Sequence, residues 1–293
     1  MVERRLWEAD VVGSNPVAPI NYIFLMDCLY FSLLVTKDSN IEYVRMLKKS
    51  LSDLNKHYKK EYGYDVLVFT NTDIKFPEYE FVKVIKTDYT DRYEVCDYYQ
   101  TYNKENFNIN QYLNRNLHSS WMHKWYALEN VIILGYDRIL FSDCDVIIND
   151  NLTGIFSLYN NELENQNNFY FSEAFDETLD KYFHLNFAAN SGHFLLRPTK
   201  INEVNIYEKI VEKRRDMDIV IASFFEKEKF SIETLEHFGF FNEQYCAQMY
   251  FEELGYNIEH FPNFTIGRTG QSASPENYLI FHYHYNYKEK YLN

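Results

Sequence analysis

The stretch Tyr136-Asp137-Arg138-Ile139-Leu140-Phe141-Ser142-Asp143-Cys144-Asp145-Val146-Ile147-Ile148 decides the reading of this chain. The strand-like run Tyr136 to Phe141 feeds into Ser142, two aspartates separated by one residue follow, and a second apolar run begins at Val146. A short apolar run closed by polar residues reads as a buried strand. Open α/β sheets bind ligands beyond the carboxyl ends of their strands, which is where the aspartates fall. Two carboxylates held ~5 Å apart repel by roughly 3 kcal/mol at an effective dielectric of 20. A divalent cation removes that repulsion and offers open coordination positions to phosphate oxygens. A solvated turn with a helix-capping aspartate is the other reading of the same residues.

Working outward, Leu29 to Val35 reads as a buried strand followed by the polar turn Thr36-Lys37-Asp38-Ser39-Asn40. Ile41, Val44, Leu47, Leu51, Leu54 and Tyr58 then recur at helical spacing, with Ser39 or Asn40 placed to cap. Asp65–Thr70 and Phe81–Ile85 are the next strands, and strand, helix, strand predicts a parallel βαβ unit. Thr87 to Asn116 shows no period, whereas Trp121, Trp125, Leu128 and Ile132 mark one face of a helix. In the second half, Asn168–Ser172, Ala189–Leu196, Tyr256–Phe261 and Tyr278–Tyr283 read as strands. Ile201–Arg215 reads as a helix, and Cys246, Met249, Tyr250 and Leu254 place another just after Asn242-Glu243-Gln244. The fold class is therefore α/β, with a mostly parallel central sheet flanked by helices. No repeat or flexible linker divides the chain. We expect one domain over 21–293, with a nucleotide-binding half at about 29–150 and an acceptor and donor-sugar half at about 151–293.

Composition narrows the partners. The formal charge of −14 repels nucleic acid and anionic lipid, and equally a phosphorylated ligand unless a cation intervenes. The 27 Tyr and 24 Phe suit a sugar-binding cleft, but an AT-rich genome enriches the same residues and core packing is the default for most of them. Cys28, Cys96, Cys144 and Cys246 form no CxxC pair or zinc spacing and read as reduced cytosolic thiols. Cys144, between the aspartates, reads as a small apolar filler and not as a nucleophile. Pro19, Asn21 and Asp27 interrupt the apolar stretch 17–35, so neither a signal peptide nor a membrane span is expected. Residues 1–20 resemble the peptide made when a gene call runs through a transfer-RNA gene, which would put the natural start later, with Met26 a candidate.

Lys124-Trp125-Tyr126-Ala127-Leu128 and the later YDRILFSDCDVIINDNL together resemble the GT-A-fold glycosyltransferases, most of all glycosyltransferase family 8 and its relatives. The resemblance implies that Asp143 and Asp145, with Cys144 between them, hold Mn²⁺ (or Mg²⁺) on the diphosphate of a nucleotide sugar. Ala189-Asn190-Ser191-Gly192-His193 is similar to the family's Asn-Ser-Gly strand, which puts Asn190 near the donor sugar. Asn242-Glu243-Gln244 resembles its Asp-Gln motif with Glu in place of Asp, which makes Glu243 a sugar contact set at a helix N-terminus. His282 and Lys288 match its His-x-x-Gly-x-x-Lys spacing, which implies a third metal ligand and a diphosphate contact. Tyr285 replaces the pattern's Gly and Glu289-Lys290 replaces Pro-Trp, and His284 rivals His282 as ligand. By position in the fold, Thr36, Lys37 and Asp38 hold base and ribose, and Lys124 is a further phosphate contact.

The expected function is metal-dependent transfer of a sugar, with retention, from a nucleoside-diphosphate sugar (uridine by family default) to a glycan or lipid-linked glycan. Asn190, Glu243 and Lys288 are the expected catalytic residues. The expected setting is the cytoplasm, at the inner membrane face where the acceptor is lipid-linked. Two alternatives are a non-catalytic nucleotide-sugar-binding module of the same fold and a phosphatase of the haloacid dehalogenase type. The latter also places D-x-D after a strand, but near the N-terminus and usually with Thr where this chain has Ile147.

Overall fold

The computed structural model describes residues 25–35, 41–89, 115–160, 166–174, 188–227, 232–269 and 274–283. Expectations for residues 1–20, 36–40, Tyr285 and most of 87–116 lie outside the described residues, as do those for His284, Lys288, Glu289 and Lys290.

Among the described residues, ten strands form two sheets. β1 (Asp27–Leu33), α1 (Ile41–His57), β2 (Tyr64–Thr70) and β3 (Val82–Lys86) follow in order, then α2 (Arg115–Ile133) and β4 (Arg138–Ser142). β5 (Val146–Ile148), α3 (Thr153–Phe156), β6 (Asn168–Ala174) and β7 (Ala188–Leu196) lead to α4 (Ile206–Lys227) and α5 (Ile232–Glu253). β8 (Asn257–His260), β9 (Ile266–Arg268) and β10 (Ile280–His282) close the described chain. The large sheet has the order β3-β2-β1-β4-β7-β6-β8, and the small one β5-β10-β9. β1–β2, β2–β3, β1–β4 and β6–β8 pair parallel, while β4–β7 and β6–β7 pair antiparallel. The expected α/β class with a mostly parallel sheet is what forms.

Period-two alternation explains why the strands read as continuous apolar runs: both faces are covered. Leu29, Phe31 and Leu33 point into one core with Leu47, Leu51 and Leu54 of α1. Cys28 and Tyr30 point into the other, with Met122, Trp125, Leu128 and Val131 of α2 and Cys246, Ala247 and Phe251 of α5. Full burial of one such Leu or Phe contributes ~1.5–3 kcal/mol, an upper bound given a compact unfolded chain. Phe194 sits at the centre of the second core, stacked at 4.9 Å on both Trp125 and Phe141 and edge-on to Phe169 at 5.4 Å. Much of the aromatic content therefore fills the interior. Gly135, at φ 86, turns the end of α2 toward β4, a left-handed position that disfavours any side chain.

The strand order reverses between β1 and β4, because β2 and β3 extend to one side of β1 and β4 lies on the other. That pair is stapled at its amino end, where Asp27 is in register with Arg138. Arg138 donates from Nε and Nη2 to the two Asp27 oxygens at 2.6 and 2.7 Å. Burial pushes the Asp27 carboxyl up, and the Arg138 guanidinium opposes that shift. The carboxyl end of the same pair is left to the candidate site.

Two local expectations are corrected, and one element is new. α5 starts at Ile232, so Glu243-Gln244 lies in mid-helix and not at a helix N-terminus. α4 begins at Ile206, because Ile201 to Asn205 is irregular, and it runs on to Lys227. The run Val146-Ile147-Ile148 leaves the large sheet and founds the small one, whose strand Ile266–Arg268 is too short and too rich in small and charged residues to have read as a strand.

Candidate metal and donor site

Three groups converge where β4 ends. Asp143 follows β4, Asp145 immediately precedes β5, and β5 pairs antiparallel with β10, putting Val146 opposite His282. That register delivers an imidazole from 137 residues further along the chain: His282 Nε2 lies 3.1 Å from Asp145 Oδ1 and 3.6 Å from Asp143 Oδ2. One ligand atom of each of the three lies within 4.8 Å of the others. Donors at ~2.1 Å from one ion stand about 3 Å apart when adjacent in an octahedron, so the separations suit a small divalent cation. Asp145 and His282 are buried, and Asp143 keeps about a third of its side chain exposed, 35%. His193, buried on β7, braces the His282 ring edge to face at 5.0 Å.

Gly192 keeps the space open. A Cβ there would lie 2.7 Å from Asp143 Oδ2, 2.9 Å from Asn190 Oδ1 and 3.1 Å from His282 Cε1. Its backbone amide donates to Asn190 Oδ1 at 2.8 Å, and its carbonyl accepts from Asp143 N–H at 2.8 Å. The buried Asn190 side chain therefore lies at the rim of the same space.

The turn between the aspartates is pinned from α1. Ser50 Oγ lies 2.7 Å from the Cys144 carbonyl and 2.8 Å from that of Val146, and it accepts from Val146 N–H at 3.3 Å. Cys144 points away from the site, its thiol 3.5 Å from the Ser32 carbonyl among core side chains. At the end of β1, Asn71 clamps Val35, accepting from its N–H at 2.8 Å and donating to its carbonyl at 2.9 Å. Thr36, Lys37 and Asp38 follow directly but lie outside the described residues, as do Lys288 and His284.

Lys124 and Glu243 are brought together, but in the interior. Lys124 Nζ donates to the Ser191 hydroxyl at 2.6 Å and carbonyl at 3.1 Å and lies 3.3 Å from Glu243 Oε1. Trp125 Nε1 donates to the same Glu243 oxygen. Below Ser32 and Thr87, His123 is buried with Nδ1 2.7 Å from Ser32 Oγ and Nε2 3.0 Å from Thr87 Oγ1, and burial holds its pKa down to about 3.

Sequence reasoning missed Ser50, Asn71 and the steric part of Gly192. A serine interrupting the apolar face Leu47, Leu51, Leu54 was a signal for the first; nothing local marked the other two.

No family model matches the chain, and no curated protein matches it by sequence. Among solved structures it is similar to the glycosyltransferase GlyE of Streptococcus pneumoniae TIGR4, at 13% identity over 89% of this chain and 55% of that one, with a TM-score of 0.48. The chain thus spans about half the length of GlyE. It is similar to the galactosyltransferase LgtC in complex with donor and acceptor sugar analogs, at 11% identity over 90% of this chain and 93% of that one, with a TM-score of 0.42. It is also similar to mouse xyloside xylosyltransferase 1, at 12% identity over 88% of this chain and 97% of that one, with a TM-score of 0.46. At these levels the likeness carries no residue roles, and the chemistry rests on the site itself. Among the described residues, no helix is long and apolar enough to cross a membrane.

Proposed function

We propose that the chain is a metal-dependent GT-A glycosyltransferase that takes a sugar, with retention, from a nucleoside-diphosphate donor, uridine-based by family resemblance, and passes it to a glycan or lipid-linked glycan. The observation that carries the reading is the meeting of Asp143, Asp145 and His282 around a space held open by Gly192, at the carboxyl end of the strand pair where the sheet order reverses.

Two carboxylates and an imidazole make a mixed O/N donor set that suits Mn²⁺, or Mg²⁺ in its place, better than Ca²⁺. A cation bound there supplies the positive charge that stabilises a departing nucleoside diphosphate. Asp145 and His282, the buried pair, would grip the ion from the protein side, and the more exposed Asp143 would face the donor. This arrangement inverts, at one point, the repulsion that a chain of net charge −14 exerts on a diphosphate. Asn190, at the rim, is assigned to the donor sugar, Thr36, Lys37 and Asp38 to base and ribose, and Lys288 to the diphosphate.

The test is a thermal-shift screen of nucleotide sugars with and without Mn²⁺, followed by donor hydrolysis with the best binder. A ligand that binds only the folded state, at 100 times its dissociation constant, adds about 2.7 kcal/mol of stability. Asp143→Ala and Asp145→Ala should each remove the Mn²⁺-dependent shift and the hydrolysis, and unchanged turnover in both would sink the assignment. Metal-dependent binding without any turnover would favour a binding module. Cleavage of a simple aryl phosphate that depends on Asp143 would favour a phosphatase.

A further inference from the structure

A buried ionic group stands behind the site without touching it. Lys124 on α2 and Glu243 on α5 are both buried against Ser191 of β7, and the Lys124 ammonium lies 5.8 Å from the Trp125 ring centroid and 5.6 Å from that of Phe141. Removing two charges from water is costly, and well-packed apolar residues of similar volume are often as stable or more so. Stability alone is therefore a weak reason for this pair.

What the pair does is visible at Ser191. The β6–β7 register shifts here: Phe171 pairs with Phe194 but the next residue, Ser172, pairs with Asn190. β4 pairs with β7 only from His193 onward, so at Ser191 the strand ladder is interrupted on both sides. A β-bulge leaves backbone groups that need other partners. Ser191 N–H donates to Gln244 Oε1 at 2.7 Å, and its carbonyl accepts from Lys124. Its hydroxyl lies 3.1 Å from both Glu243 oxygens and accepts from Lys124. Every polar atom of Ser191 is thus held by α2 or α5. Its neighbours are the two residues that shape the ion's space, since Asn190 binds Gly192 N–H and Gly192 binds Asp143 N–H.

We propose that Lys124 and Glu243 are positioning residues which, through Ser191, fix the bulged Asn190–Gly192 segment so that Asp143 presents its carboxylate to a divalent cation. The inference rests on the metal-site reading above. It gives Lys124 and Glu243 a part in metal binding without contact with phosphate or sugar.

The probe is Mn²⁺ alone, titrated calorimetrically into the wild type, Lys124→Met, Ser191→Ala and Asp143→Ala. Loss of groups that orient a metal ligand typically costs about 10–100-fold in metal affinity. Lys124→Met and Ser191→Ala should each show a loss of about that size while keeping a cooperative melt. Ser191→Ala leaves the Lys124–Glu243 pair in place, so it carries the test if Lys124→Met does not fold. Wild-type Mn²⁺ affinity in folded Ser191→Ala overturns the proposal, even if the melting temperature falls, because that is the signature of a purely structural role. Absent Mn²⁺ binding by the wild type, or unchanged affinity in Asp143→Ala, overturns the metal site itself and is recognisable as such.

Discussion

His282 Nε2 stands 3.1 Å from Asp145 Oδ1, although 137 residues separate the two, because β10 pairs antiparallel with β5 and puts the histidine opposite Val146. The single nitrogen in the donor set should tune metal preference. His282→Asn replaces an imidazole by harder amide groups, and imidazole favours later transition metals over Mg²⁺. We expect Mn²⁺ affinity to fall more than Mg²⁺ affinity, so that the ratio of the two, measured calorimetrically, moves by about tenfold toward Mg²⁺. An unchanged ratio would mean that the imidazole is not a ligand.

Gly192→Ala gives a sign test of the open space. Replacing a strand glycine by alanine ordinarily stabilises by about 0.5–1 kcal/mol through the unfolded chain. Here the added methyl would meet Asp143 Oδ2 at 2.7 Å and His282 Cε1 at 3.1 Å. The variant should lose Mn²⁺ binding by about tenfold or more, with no ligand removed. Equal or better Mn²⁺ affinity would show that the space is not where the ion sits.

His123 should govern part of the acid stability. Its folded pKa, held down to about 3 by burial, lies below the unfolded value of about 6.5. The unfolded chain therefore binds the extra proton first, and the contribution, complete above about pH 6.5, is lost as pH falls from there toward 3. At pH 5 the loss is about 2 kcal/mol relative to pH 7. Urea unfolding of His123→Gln should start from lower stability at pH 7, because Ser32 and Thr87 lose a matched partner, but decline less on acidification. Parallel declines in the two proteins would contradict the buried neutral imidazole.

Arg138 and Asp27 staple β1 to β4 at the end remote from the site. Arg138→Met leaves a buried carboxylate without its guanidinium and should cost about 3–5 kcal/mol. The double variant Arg138→Met, Asp27→Leu should recover most of that, since the charge and its partner leave together. Denaturant midpoints of the three proteins decide it, and a double variant no more stable than Arg138→Met would point to the Phe156 carbonyl and Asn160 contacts of the guanidinium instead.

Much of this molecule was written in local pattern. The spacing Leu47, Leu51, Leu54 set α1, the run Ile139-Leu140-Phe141 set β4, and the aspartates after it marked the candidate site at the carboxyl end of the strand, because side-chain periodicity and strand burial are properties of neighbouring residues. Glu243 was misplaced at a helix N-terminus because a helix apolar on several sides gives no clear start. What the tertiary structure alone decided is which distant groups share a space. The β5–β10 register brings His282 to the aspartates, the bulge at Ser191 draws Lys124 and Glu243 inward, and the packing of β7 against Asp143 makes Gly192 a steric necessity. Strand pairing and bulges are set by contacts between segments distant along the chain, 137 residues for Asp145 and His282 and 67 for Lys124 and Ser191, and the periodicity of one segment carries no information about its partner's register.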